Sequence, residues 1–147
     1  MRRRLLSALL GLALLLGVSA RAGATENVWS GLVIATNTAK PEPPPPEMRR
    51  FAETLRQTFG YKQFSLIGQS RKTLNSGEEN WLARSKHFSL HVDARGATKD
   101  GYRLKLTLFQ DRHVLLETDA TLKKSSPLVI KGPQVGAGQL LLLLIVQ

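Results

Sequence analysis

Seven apolar residues at 140–146, in the stretch "GQLLLLLIV", constrain the fold more than any other part of this 147-residue chain. They are far too few for a membrane-crossing helix, which needs ~20. A strand of a membrane barrel would alternate lipid-facing and lumen-facing residues, and this run does not alternate. A strand sends successive side chains to opposite faces of its sheet. One that is apolar on both sides must be covered twice, as central strands of layered structures are. The expectation is a central strand following Gly136 and Gly138, with a helix over one face and a second sheet layer, or the neighbours of the Trp29 strand, over the other; the alternative is a strand left exposed until a partner covers it.

The covering elements can be sought by periodicity. In "PEMRRFAETLRQTFG" (46–60), Met48, Phe51, Ala52, Leu55 and Phe59 recur at the spacing of one helical face. Pro46 and Glu47 suit a first turn, and Gly60 suits a C-terminal cap. This is the one helix expected. Before it, "NVWSGLVIATN" (27–37) reads as a strand with Val28, Ser30, Leu32 and Ile34 facing one way. Trp29, Gly31, Val33 and Ala35 face the other, so it too is apolar on both sides. Between these two elements "KPEPPPP" (40–46) carries four consecutive prolines, which cannot donate to a ladder. They form a stiff polyproline II spacer, in preference to a ligand for a partner's aromatic groove.

After Tyr61 the period falls to two. Strands are expected at 61–74, 80–94, 102–109, 114–124 and 127–131. Turns are expected at Asn75-Ser76-Gly77 and Asp100-Gly101, with a Gly-rich connection at 132–138. Phe88, Leu90 and Val92 share a face, as do Tyr102, Leu104, Leu106 and Leu108, and also Val114, Leu116, Ala120 and Leu122. A two-residue turn at Asp111-Arg112 would pair core with surface residues throughout, since a one-residue slip swaps the faces. A three-residue connection, Gln110-Asp111-Arg112, or a longer loop in the same register, restores the match. It sets Leu106 against Leu116, Leu104 against Thr118, Arg103 against Asp119 and Lys105 against Glu117.

Residues 1–24 read as a cleavable secretory signal: Arg2, Arg3 and Arg4, then an apolar run, then small residues. The cut is expected after Ala24, with Ala22 as the alternative. The protein is then periplasmic or extracellular. The chain has no cysteine, which removes disulfide frameworks, thiolate catalysis and a lipid-modified cysteine. Four of the 21 basic residues precede position 25 and all 11 acidic ones follow it, leaving 17 against 11, a formal +6 for residues 25–147. Small basic clusters, Arg49-Arg50 and Arg71-Lys72 among them, offer contact with an anionic surface.

Catalytic signals are sparse. "HFSLHVD" puts His87, His91 and Asp93 on one strand face, with His87 and His91 ~13 Å apart, too far to share an ion. His91 with Asp93 is the candidate metal pair, should another strand supply ligands; otherwise Asp93 faces Arg103. There is no G-x-S-x-G, no P-loop and no dinucleotide fingerprint. Glu78 and Glu79 are adjacent and point apart, a poor acid/base pair. Trp81, Tyr61, Phe64 and Tyr102 are read as core aromatics in preference to a stacking platform.

The order of a helix, "FGYKQFSLIGQS", an antiparallel meander, "VIKGP", a glycine turn and "GQLLLLLIV" resembles a group of small exported bacterial envelope domains. The likeness runs over residues 48–147. It implies a β-rich envelope module and carries no catalytic residues across. The whole reading is an α+β fold: one exported domain at 25–147, with a single amphipathic helix packed on a mostly antiparallel, sandwich-like sheet. The function expected is non-catalytic binding or accessory work in the cell envelope, with an envelope protein as partner, no cofactor and no nucleic acid. The alternatives are an exported hydrolase or metal-dependent enzyme, and a basic polyanion or membrane-surface binder.

Overall fold

A computed structural model describes residues 25–147; the signal expected at 1–24 and its cleavage site lie outside the described residues. The order is β1 (Thr25–Thr36), a 3-10 turn (Pro46–Met48), α1 (Ala52–Phe59), β2 (Gln63–Asn75), β3 (Glu79–Arg84), β4 (Phe88–Thr98), β5 (Gly101–Gln110), β6 (His113–Leu122), β7 (Leu128–Val135) and β8 (Gly138–Val146). The strands form two four-stranded sheets, β2-β1-β8-β7 and β3-β4-β5-β6. Every pairing is antiparallel. The fold is therefore mostly β, with one short helix. Among the described residues no helix is long and apolar enough to cross a membrane.

β8 is central, held between β1 and β7. Leu140, Leu142 and Leu144 enter the core between the sheets, with Val28, Leu32, Leu90, Leu104 and Leu106. Leu141, Leu143 and Ile145 enter a second core under the helix, with Trp29, Val33, Met48, Leu55 and Phe64. The five leucines at 140–144 are all 0% exposed. Each such side chain favours folding by roughly 1.5–3 kcal/mol over an exposed one. The two-sided covering expected from the unbroken apolar run is the arrangement found.

The helix is shorter than expected. It is broken into the turn at Pro46–Met48 and the eight-residue α1. Phe51, at φ −113°, separates them. Gly60 does cap α1, in the left-handed region at φ 74°, with its N–H on the Arg56 carbonyl. Met48, Ala52 and Leu55 are buried, so the short helix still covers its side of β8. The proline segment runs beside β2, where Glu42 N–H donates to Gln63 Oε1 (3.1 Å).

Three strand expectations are corrected. The stretch 80–94 is not one strand but β3 and β4, joined by a turn in which Ser85 N–H donates to the Phe88 carbonyl (2.8 Å) and Phe88 N–H to Ser85 Oγ (3.1 Å). The stretch 127–131 does not stop before a loop. β7 continues through Gly132 and Pro133 to Val135, with an irregularity between Lys131 and Gln134. Proline is tolerated in an edge strand at such a site. The buried Gln139 amide donates to the Gly132, Pro133 and Leu140 carbonyls there. Third, β5 and β6 do use the two-residue turn at Asp111-Arg112, pairing Gln110 with His113. A bulge beyond it then admits one extra residue, Leu115, so that Leu108 meets Leu116. The extra residue restores the matching of faces, giving Leu106 opposite Thr118, Leu104 opposite Ala120 and Lys105 opposite Asp119. Val114 is left outside the bulge, opposite Phe109, and is exposed.

The two sheets are joined along one side by a polar pin. Ser30, fully buried on β1, shares a hydrogen bond with Ser70 Oγ (2.7 Å) and accepts one from the Ala83 N–H of β3 (3.0 Å). Ser30→Ala strands that N–H in the interior. A loss of about 1–3 kcal/mol is expected, read as a lower urea midpoint at unchanged slope.

Candidate functional site

The solvent face of the second sheet carries the side chains of interest. Phe88, Leu90, Val92 and Ala94 of β4 turn inward to the core. The alternation of a strand therefore turns Ser89, His91 and Asp93 outward. On β3, Trp81 sits opposite His91 and Glu79 opposite Asp93; on β5, Thr107 and Lys105 occupy the same rows. Trp81 meets His91 edge-on (centroids 5.0 Å apart, planes at 68°) and Phe109 at a tilt (5.5 Å, 53°). The Arg84 guanidinium lies 4.7 Å over the Trp81 ring, close enough for cation–π attraction.

Trp81 is thus not a core residue, as the sequence suggested, but 41% exposed. Phe64 and Tyr102 are buried as expected, and Tyr61 packs half-buried against the helix-side core. Val114 (53% exposed) and Leu115 (41%) extend the apolar character toward β6. Of the four large apolar side chains left exposed among the described residues, only Ile67 lies on another sheet. Large exposed apolar groups gathered on one face mark interaction surfaces, whereas scattered ones need no explanation.

The candidate metal pair takes another form. His91 is engaged by the Trp81 ring. Asp93 pairs with Arg95 on its own strand (3.3 Å) instead of with Arg103. His87 is not on the strand but in the β3–β4 turn, where its Nδ1 lies 3.2 Å from Asp111 Oδ1. Among the described residues no group of three or more His, Cys, Asp or Glu side chains converges as ion ligands would. The rest of the face is charged: Lys105 stands in register with both Asp93 and Asp119 and reaches Glu117 at 3.9 Å. Such an array offers apolar area, stacking and fixed charge to a partner.

The basic residues proposed for an anionic surface are spread out. Arg71 is bound to Glu47 at 2.6 Å, and the Arg50 guanidinium lies 5.0 Å over the Phe51 ring. Arg71 and Lys72, adjacent on β2, project to opposite faces of their sheet. Both border a shallow depression with Asn27, Thr73 and Gln147. No protein-family model, curated protein or solved structure matches the chain.

Proposed function

We propose that this protein is a non-catalytic binding module of the bacterial cell envelope, and that it presents the outer face of its second sheet to a protein partner. The observation that carries the reading is the exposed tryptophan. Trp81 is seated among His91, Phe109 and Arg84, and the same sheet holds Val114 and Leu115 in solvent. Tryptophan and arginine at the centre of a contact surface dominate binding energy. The signal-like pattern at 1–24 agrees with an exported module.

Cross-linked capture from the protein's own envelope fraction tests it. Trp81→Ala is expected to weaken retention of the captured partner about 30-fold, the equivalent of a ~2 kcal/mol anchor, with the thermal midpoint unchanged. Equal retention by the variant and the parent would sink the assignment. So would stoichiometric metal in the purified protein that disappears on His91→Ala, which would favour a metal-dependent enzyme centred on His91 and Asp93.

A further inference from the structure

A four-stranded sheet has two edges, and two sheets have four. Three of these are blunted. The β2 and β3 edges meet each other so closely that a Cβ on Gly68 would lie 2.0 Å from the Arg84 carbonyl oxygen. The β7 edge is interrupted by its irregularity, by Pro133, which has no N–H to offer, and by Gln139 occupying nearby carbonyls. The β6 edge is less protected: it carries the Leu115 bulge near one end and the Thr118 hydroxyl on the Asp119 carbonyl (3.2 Å), but no strand pairs with its outer side. From Leu116 to Leu122 its pairing with β5 is regular, and its sequence "HVLLETDATL" contains no proline, lysine or arginine. Edges of this kind accept another strand.

What could occupy it follows from charge and from the core. Leu116 and Ala120 of β6, and Leu128 and Ile130 of β7, are half-buried at the rim of the inter-sheet core. A strand added to β6 would send every second side chain over that rim. Its other side chains would stand beside Glu117 and Asp119 on the outer face. A second copy of this chain is disfavoured there in the central registers. Antiparallel β6 pairs centred on Glu117, Thr118 or Asp119 each set an acid directly against an acid, which is destabilising across strands. We infer that the β6 edge accepts an extended segment of a partner in which apolar residues alternate with lysine or arginine, the basic residues lying opposite Glu117 and Asp119. Glu117 and Asp119 share the outer face with Trp81, but the pairing edge is β6, at the opposite side of the sheet from Trp81 on β3.

Two labelled peptides of about ten residues, the length of β6, test this on the purified protein: alternating Lys-Val and alternating Glu-Val. Lys-Val is expected to bind about tenfold more tightly, from two cross-strand charge pairs that attract in one case and repel in the other. This order runs against the +6 net charge of residues 25–147, so unspecific attraction would give the opposite result. Binding is expected to slow hydrogen exchange of amides at 113–122. The double variant Glu117→Lys/Asp119→Lys should invert the preference, and the milder Glu117→Gln/Asp119→Asn should reduce it to within about twofold. Equal binding of the peptides, exchange protection only elsewhere, a preference untouched by either variant, or concentration-dependent self-association through β6 would each overturn the proposal. Trp81→Ala should leave peptide binding unchanged, which separates failure at the edge from failure at the face.

Discussion

Leu142→Ala is expected to lower the unfolding free energy by about 2–5 kcal/mol, the range for deleting a leucine side chain from a core that cannot collapse around the void. Leu142 is 0% exposed and sits in the middle of β8, directly between Leu32 of β1 and Ile130 of β7. Its neighbours across the sheet interface belong to the other four-stranded layer. Relaxation would require both layers to move together, so the upper half of the range is expected. Differential scanning calorimetry should show a thermal midpoint lower by on the order of 10 °C. A shift within the error of the parent would mean that the inter-sheet core is not as described.

Gly68→Ala is expected to cost at least about 3 kcal/mol, by crowding instead of emptying. The obstacle is not conformational: the new Cβ would lie 2.0 Å from the Arg84 carbonyl oxygen and 2.6 Å from its carbon. Both atoms are backbone, so no rotamer change relieves the contact, and the β2–β3 corner must part. Arg84 also holds its guanidinium over Trp81. The substitution should therefore alter the emission of the exposed tryptophan, while Trp29, buried with its indole N–H on Gln69, keeps its own. Leu142→Ala should leave Trp81 emission as it was. The pair thus distinguishes loss of core volume from opening of the corner.

The parts of the architecture that were legible in the sequence are those written in uninterrupted or strictly periodic apolar residues. Leu140 to Val146 announced a strand covered on both faces because no polar residue claimed either face. Val28 to Ala35 did nearly the same, with Ser30 the one polar residue on either face. The turn that separates β3 from β4 was hidden because Ser85, Lys86 and His87 include no glycine, proline or asparagine, and its hydrogen bonds come from a serine hydroxyl and the main chain. The Leu115 bulge was hidden for a different reason. It adds a residue inside an apolar run, where composition does not change, so the faces match as expected while the expected pairs, Leu106 with Leu116 and Lys105 with Glu117 among them, are displaced by two residues. Trp81 was misplaced because β3 does not alternate: Leu82 and Ala83 are both buried, with a pairing irregularity between Trp81 and Arg84. A tryptophan next to such a break has no periodic neighbours to say which way it turns.

The placement of β8 beside β1 governs when the molecule can come into being. The two strands are separated by on the order of a hundred residues, and pairings that distant form slowly because a long loop must close first. Until β8 is made, β1 has β2 as its one sheet neighbour, and Trp29, Val33 and Leu32 lack the leucines of β8 that complete both cores. The β2-β1-β8-β7 sheet is therefore completed only once β8 is available to pair with both β1 and β7.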